Sequence, residues 1–272
     1  MIHSKELLPK ISCLMVTAND RFDCFKKSFQ CYIDQIYLNK ELVIVNEGSK
    51  EYQNQIEKYV LGRNDVKLVF LKGWYSLGSL RNISIALCNG DVFVQWDDDD
   101  FNSPERLALQ FNHLSKSSAK VCYLSEQLHY YFDTKQLFWE SWAKFCSGGH
   151  KKYSLIPGTI MAWKKEFGVR YPSAGNWCSA GEDSVLAYKL CDNEDDVLLL
   201  SEYGHMQMYS YHGKNVWDSE HHLNISKERS MERSYVLRHR DRICSMIDYL
   251  KLEGTIKIMS RDGLVFTHEA KE

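Results

Sequence analysis

Along the first hundred residues the apolar positions switch between two periods. Residues 11–16 (ISCLMV) are a continuous apolar run suited to a buried strand. Phe25, Phe29, Tyr32 and Ile36 then recur at the i, i+4, i+7, i+11 spacing of one helix face. Residues 42–45 give a second strand, closed by the turn-forming Asn46-Glu47-Gly48-Ser49, and a polar helix is predicted from about 50 to 61. Residues 66–71 read as a third strand, Leu80, Ile83 and Leu87 as a third helix, and Val92, Phe93 and Val94 as a fourth strand. That strand runs into four consecutive aspartates, Asp97, Asp98, Asp99 and Asp100. A helix is predicted directly after them, with Ser103 as N-cap, Pro104 at the first helical position and Leu107, Phe111 and Leu114 as its apolar stripe. Strands alternating with helices in this order predict an α/β fold with a doubly wound parallel sheet and right-handed crossovers.

After about residue 118 the pattern changes. Residues 121–124, 128–132, 136–142 and 155–163 predict antiparallel strands rich in aromatics. A short helix is predicted over 181–190 and short strands with loops over 197–217. A long helix is expected over about 227–251, with Ile243, Met246, Ile247 and Leu250 on one face. The closing GTIKIMSRDGLVFTHE predicts a hairpin turning at Arg261-Asp262-Gly263.

Composition narrows the class. A chain of 272 residues, 44% hydrophobic and 26% charged, can bury a substantial core. A net charge of −2 gives no reason to expect nucleic acid as a partner. The first residues hold too short an apolar run for a secretory signal, and no stretch approaches the ~18 apolar residues of a spanning helix. The nine cysteines form no CxxC pair and no zinc spacing, so reduced, buried thiols in a cytoplasmic protein are expected.

The aspartate run carries the chemistry. Four carboxylates at the C-terminal end of a strand repel one another and raise each other's pKa unless a cation sits among them. Mg²⁺ and Mn²⁺ prefer such oxygen ligands and are often shared with substrate phosphates. A solvated acidic turn is the plainer account. The strand-then-helix context favours a site, because open α/β sheets bind ligands beyond the carboxyl ends of their strands.

Three further segments complete a pattern. ISCLMVTANDR, LVIVNEGSKE, LGSLRNISIALCNGDVFVQWDDDD and AGEDSVLAYKL, in this order and spacing, resemble the family 2 glycosyltransferases of the GT-A fold over about residues 10 to 190. The resemblance implies a Rossmann-like, mostly parallel central sheet with helices on both faces. It implies a domain over 1–222, with a nucleotide-sugar half at about 1–118 and an acceptor half at about 119–222. A C-terminal helix and hairpin extension over 223–272 would follow.

The resemblance also assigns roles. Glu47 matches the acid that accepts a hydrogen bond from the base. Members commonly show two aspartates before Gly-Ser, where this chain has Asn46-Glu47, so a UDP donor is favoured and a GDP donor stays open. Thr17, Asn19 and Arg21 stand where members hold base, ribose and diphosphate, although Asn19-Asp20 is also ordinary turn chemistry. Arg81 is placed to pair with phosphate or aspartate. The Asp-x-Asp pattern fits Asp97 and Asp99, with Asp99 on the metal, Asp97 on ribose or metal, and Asp98 and Asp100 as supporting acids; a register shifted by one residue stays open. In the Glu182-Asp183 pair, Asp183 would take the proton of the attacking hydroxyl and Glu182 would support it or touch the acceptor. Two acids also suit a helix N-terminus on electrostatic grounds alone.

His212, in YSYHGKNVWD, is a candidate further ligand of Mn²⁺ or Mg²⁺, with Lys214 beside it to neutralise the leaving diphosphate; a packed or surface histidine is the alternative. His205, His221 and His222 are weaker candidates. Among Tyr130, Tyr131, Trp139, Trp142, Trp163 and Trp177, most are expected in the core, and Trp177 is the best candidate for an acceptor platform. The basic stretch over 227–242 reads first as a solvated helix face, and second as a surface for anionic lipids at the inner face of a membrane.

The expected activity is an inverting, metal-dependent transfer of a sugar from a nucleotide-diphospho-sugar to a hydroxyl of a glycan or lipid-linked acceptor, in bacterial-type surface polysaccharide synthesis. A nucleotidyltransferase would need a Gly-rich basic loop straight after the first strand, where this chain has TANDR without a glycine. A catalytically silent nucleotide- or carbohydrate-binding protein would have no need of both acidic motifs.

Overall fold

The computed structural model describes residues 8–19, 21–144 and 150–270; Asp20 and Cys146 lie outside them. The first half follows the alternation: β1 (Ile11–Thr17), α1 (Phe22–Ile33), β2 (Lys40–Asn46), α2 (Lys50–Tyr59), β3 (Val66–Phe70), α3 (Leu77–Leu87) and β4 (Val92–Gln95). These strands pair in parallel in the order β3-β2-β1-β4. Both faces of this sheet are covered. Cys13 and Met15 point into one apolar cluster and the intervening Leu14 into another, which is why β1 reads as a continuous apolar run rather than an alternating one.

The chain then leaves the first sheet. After the aspartates, β5 (Phe101–Asn102) joins a second sheet, so the four acids span the passage between the two sheets. The next helix, α4 (Arg106–Leu114), starts later than the Ser103-Pro104 signal predicts. Gln35 supplies the reason. Its Nε2 donates to the Cys31 and Ser103 carbonyls (3.0 and 2.6 Å), and its Oε1 accepts from the Leu107 N–H (3.0 Å). One side chain thereby closes α1 and caps α4. The same junction ends α1 at Ile33, and Ile36, expected on its buried face, is 58% exposed.

Of the later segments, β6 (Val121–Leu124), β7 (Glu126–Tyr131) and β8 (Gln136–Ser141) form as predicted strands, whereas 155–163 yields only a 3₁₀ turn and β9 (Met161–Trp163). After α5 (Glu182–Leu190) come β10 (Val197–Leu200) and β11 (Gln207–Tyr211). The strands are not uniformly antiparallel: β9 runs against β4 and β6, but β10 is parallel to β6 and β11 to β7. The first sheet is therefore mostly parallel, in the order β10-β6-β9-β4-β1-β2-β3.

The expected long helix is three: α6 (Ser219–Arg229), α7 (Arg233–Arg238) and α8 (Arg240–Leu250). The chain straightens at Ser230, which bridges Glu140, and Met231 N–H donates to the Trp139 carbonyl (2.9 Å). Backbone pairing with β8 thus outcompetes helix continuation. The hairpin forms as predicted, as β12 (Thr255–Ser260) and β13 (Gly263–Glu269), and β12 pairs in parallel with β8 to extend the second sheet. No helix among the described residues is long and apolar enough to cross a membrane. The eight described cysteines are free thiols, and burial pushes the Cys31 thiol up to about 11.

Candidate active site

Strand order reverses at β1, whose neighbours β2 and β4 lead to opposite halves of the sheet. Such a switch point leaves a crevice beyond the strand ends, where ligands bind in open α/β sheets. Thr17 at the end of β1, Glu47 just past β2, and Asp97, Asp98 and Asp99 past β4 all open onto it. The cleft has a volume of 470 Å³. Its walls include Thr17, Arg21, Glu47, Arg81, Asp97, Asp98 and Asp99, and on the opposite side Glu182 and Asp183.

Each aspartate has its own partners. Asp98 is buried and accepts from the Thr17 hydroxyl (2.6 Å) and Arg21 Nη1 (3.1 Å). Burial and the adjacent Asp99 charge raise its pKa to about 7 against the pull of Arg21. Asp99 meets Arg21 Nη1 at 3.0 Å and His212 Nε2 at 3.2 Å. Burial alone would raise Asp99, but the His212 hydrogen bond and the Arg21 charge hold it below the usual carboxylate range. Asp100 turns away to Gln207 Nε2 (2.9 Å) and the Ser210 N–H (3.3 Å) on β11, and burial beside Asp99 and Asp97 pushes its pKa well up. The second sheet therefore clamps the acidic run in place.

Asp97 belongs to a different network. Its Oδ1 accepts from Arg81 Nη1 (2.8 Å) and its Oδ2 from Gln95 Nε2 (2.8 Å). Arg81, buried on α3, also donates through Nε to Glu182 Oε1 (2.8 Å). One guanidinium thus fixes the distance between the sheet rim and the N-terminus of α5. Gly181 caps that helix in the left-handed conformation (φ +78°), which aims Glu182 and Asp183 at the cleft. Burial and the Glu182 charge raise Asp183 to about 6, with Arg81 opposing.

The remaining sequence candidates fall around this core. Glu47 is half-buried at one end of the cleft, where burial raises its pKa, and its carboxylate takes no hydrogen bond among the described residues. Asn19 lies off the cleft wall, its Oδ1 accepting from the Ser49 N–H (2.6 Å) to tie the β1 loop to α2. His212 does not line the cleft itself but meets Asp99, which does. Lys214 donates its backbone N–H to His212 Nδ1 (3.3 Å), so the Nε2 proton is the one directed at Asp99. Trp177 borders a second cavity of 710 Å³ that adjoins the cleft; Asp97, Gly181, Asp183, Tyr209 and Trp217 line both. Trp139 is core, and Trp142 lines the second cavity.

Sequence reasoning missed Trp74, Tyr209, Asn215 and Trp217 on the cleft wall. Trp74 and Trp217 are exposed (85% and 42%), and large exposed aromatics are the signal that could have found the last of these, within the NVWD of the segment already singled out.

Asp99 and His212 offer one ionised carboxylate and one imidazole to the same point, a donor set that suits Mn²⁺ or Mg²⁺ when diphosphate oxygens and water complete the shell. No cluster of three such ligands occurs among the described residues. A cation shared by the two would replace the Nε2 proton.

A doubly wound sheet with an acidic rim facing a second acidic pair across a cleft is the architecture of the GT-A fold. The chain belongs to glycosyl transferase family 2, whose family model matches residues 12–211. It is 31% identical over 107 residues to the putative colanic acid biosynthesis glycosyl transferase WcaA of Escherichia coli (strain K12), a match covering 39% of this chain and 38% of that protein. The fold is similar to S. aureus TarS 1-349 in complex with UDP-GlcNAc (TM-score 0.62, 15% identity, 89% of this chain and 72% of that one). It is also similar to GalNAc-T7 with UDP, GalNAc and Mn²⁺ (TM-score 0.55, 14% identity, 76% and 44%).

Proposed function

We propose an inverting transfer from a UDP-sugar to an acceptor hydroxyl in surface polysaccharide synthesis. The observation that carries this reading is the convergence of Glu47, Asp99 and Asp183 on one cleft, with Asp183 at its junction with a second cavity. The colanic acid relative, and the UDP and UDP-GlcNAc carried by TarS in its solved structures, support the donor and pathway class. The donor half over about 1–118 and the acceptor half over about 119–222 meet at this wall.

Glu47 accepts the N3–H of uracil with its free carboxylate. Asp99 and His212 would hold a divalent cation, which when bound stabilises the negative charge of the departing diphosphate. Asp97, with both oxygens held by Arg81 and Gln95, faces the ribose and donor sugar. An acceptor hydroxyl enters from the second cavity. As its oxygen forms the bond to the anomeric carbon, Asp183 takes the proton. The bond from that carbon to the diphosphate breaks on the opposite face and its electron pair leaves with UDP, so the configuration inverts. Arg81 and Glu182 keep the base in register.

Two expected results test this. In calorimetric titrations UDP binds at least about tenfold more tightly than GDP, and Mn²⁺ strengthens UDP binding; Asp99→Asn removes the Mn²⁺ effect. Equal affinities for the two nucleotides, or an Mn²⁺ effect that survives Asp99→Asn, would count against the reading. The pH profile gives the second. A base must be ionised to accept a proton, so with Asp183 raised to about 6, kcat/KM should fall about tenfold per pH unit below that value and level off above it. An acid limb near pH 4 would assign the proton to a different group.

A further inference from the structure

The second cavity holds an unusual concentration of unsatisfied groups. Eight buried side-chain polar atoms among the described residues lack a hydrogen-bond partner, and four of them, His129 Nε2, Trp142 Nε1, Gln207 Oε1 and His222 Nε2, belong to residues lining this one cavity. His129, Gln207 and His222 are 1%, 2% and 4% exposed. Buried polar atoms are nearly always paired, so a cluster of orphans around one cavity marks the place where a ligand completes them.

The polarity of these orphans is specific. Gln207 Nε2 donates to Asp100, which leaves Oε1 as an acceptor. Burial lowers the His222 pKa to about 4, so its imidazole is neutral and carries one lone-pair nitrogen, and Nε2 is left without a partner. His129 is fixed by its Nδ1 contact with Glu140 Oε1 (2.8 Å). Beyond these, the lining brings the carboxyls of Asp97, Asp100 and Asp183 and the aromatic faces of Trp142, Trp177 and Trp217, and no described lining residue is lysine or arginine.

We infer that this cavity seats the acceptor as an uncharged, hydroxyl-bearing sugar ring, and that Gln207 and His222 select it through hydrogen bonds with its hydroxyls. A hydroxyl both donates and accepts, so it satisfies Gln207 and His222 as well as the Trp142 N–H. The carboxylate of a uronate, or the phosphate of a sugar phosphate, brings acceptor oxygens where the neutral ring brings a hydroxymethyl donor. These oxygens would meet further acceptors, Gln207 Oε1 and the carboxyl oxygens on the wall, with no lysine or arginine on the described lining to receive them. The aromatic faces suit the C–H face of the same ring. This assignment rests on the transfer reading above and narrows its acceptor to a chemical class.

The test is saturation-transfer NMR on the full chain with UDP and Mn²⁺. The probes are the methyl glycosides of glucose, galactose and mannose, each beside its uronic acid and its 6-phosphate. At least one neutral glycoside should bind, with an affinity at least about tenfold above its anionic counterparts, and His222→Phe should weaken it at least about fivefold. Ile225 is half-buried on α6 in the same lining. Ile225→Lys should bring up the uronate signal by supplying the missing cation, a gain that a misfolded variant cannot produce. UDP binding accompanied by equal or tighter uronate or phosphate binding, or by no neutral binding, overturns the acceptor class alone. Loss of UDP binding itself overturns the transfer reading and this assignment with it.

Discussion

Asp183→Asn is expected to lower kcat by a factor of about 10²–10⁴, the range that a positioned general base supplies. The substitution keeps the shape but replaces the basic carboxylate proposed to take the proton with a non-basic amide, so an acceptor hydroxyl would attack unassisted. Stability separates this from unfolding. A carboxylate whose folded pKa is about 6 against an ordinary 3.8 makes the folded state bind more protons than the unfolded one. Its contribution to stability is therefore lost as pH rises through that window, and at neutral pH the charged group opposes folding. Asparagine removes the charge, so Asp183→Asn should melt at or above the wild-type temperature while its turnover collapses. Calorimetry should still find UDP bound within about twofold of wild type. Wild-type turnover would take Asp183 out of the mechanism, and a lowered melting temperature would assign the loss to structure.

The parts of this molecule that are written in neighbouring residues were legible. Residues 11–16, 42–45 and 92–94 each announce a buried strand, their alternation with helices predicts parallel pairing, and the acids at 97–100 and 182–183 are visible as runs. The opening of Asp97, Asp98 and Asp99 onto a cleft follows from the switch-point rule. What could not be read depends on contacts between distant residues. Gln35 closes α1 and opens α4 across about seventy positions, which displaced the helix start from the locally attractive Ser103-Pro104. Ser230 pairs with Glu140 and so breaks an amphipathic stretch that looks continuous. The orphan atoms of His129, Gln207 and His222 come from β7, β11 and α6, and only the second sheet brings them to one wall. The aspartate run itself was read as a strand end, whereas it is the passage between two sheets, held by β11 through Gln207 and Ser210.

Arg81→Met should destabilise the protein by about 3–5 kcal/mol, the cost of removing one partner from a buried ionic cluster. For a chain of this size that corresponds to a fall in melting temperature on the order of 10 °C. The guanidinium is 8% exposed and serves Asp97 and Glu182 at once, each at 2.8 Å. Methionine fills much of the volume but leaves two carboxylates facing each other in a desolvated wall, with Asp183 adding to the repulsion. Arg81→Lys should recover only part of the loss, because an ammonium is a point charge and cannot present two planar N–H vectors to acids on opposite sides. The energetic argument is separable from packing by a double-mutant cycle. If stranded charge is the cause, adding Glu182→Gln to Arg81→Met removes one of the orphaned carboxylates and should restore a large share of the melting temperature. Additive losses in the double variant would instead mean that Arg81 acts through its packing over the Tyr171 ring, 5.8 Å from the guanidinium carbon. Activity should fail in both backgrounds, because the same side chain that relieves the charge also sets the distance between the sheet rim and Asp183, the proposed base on α5.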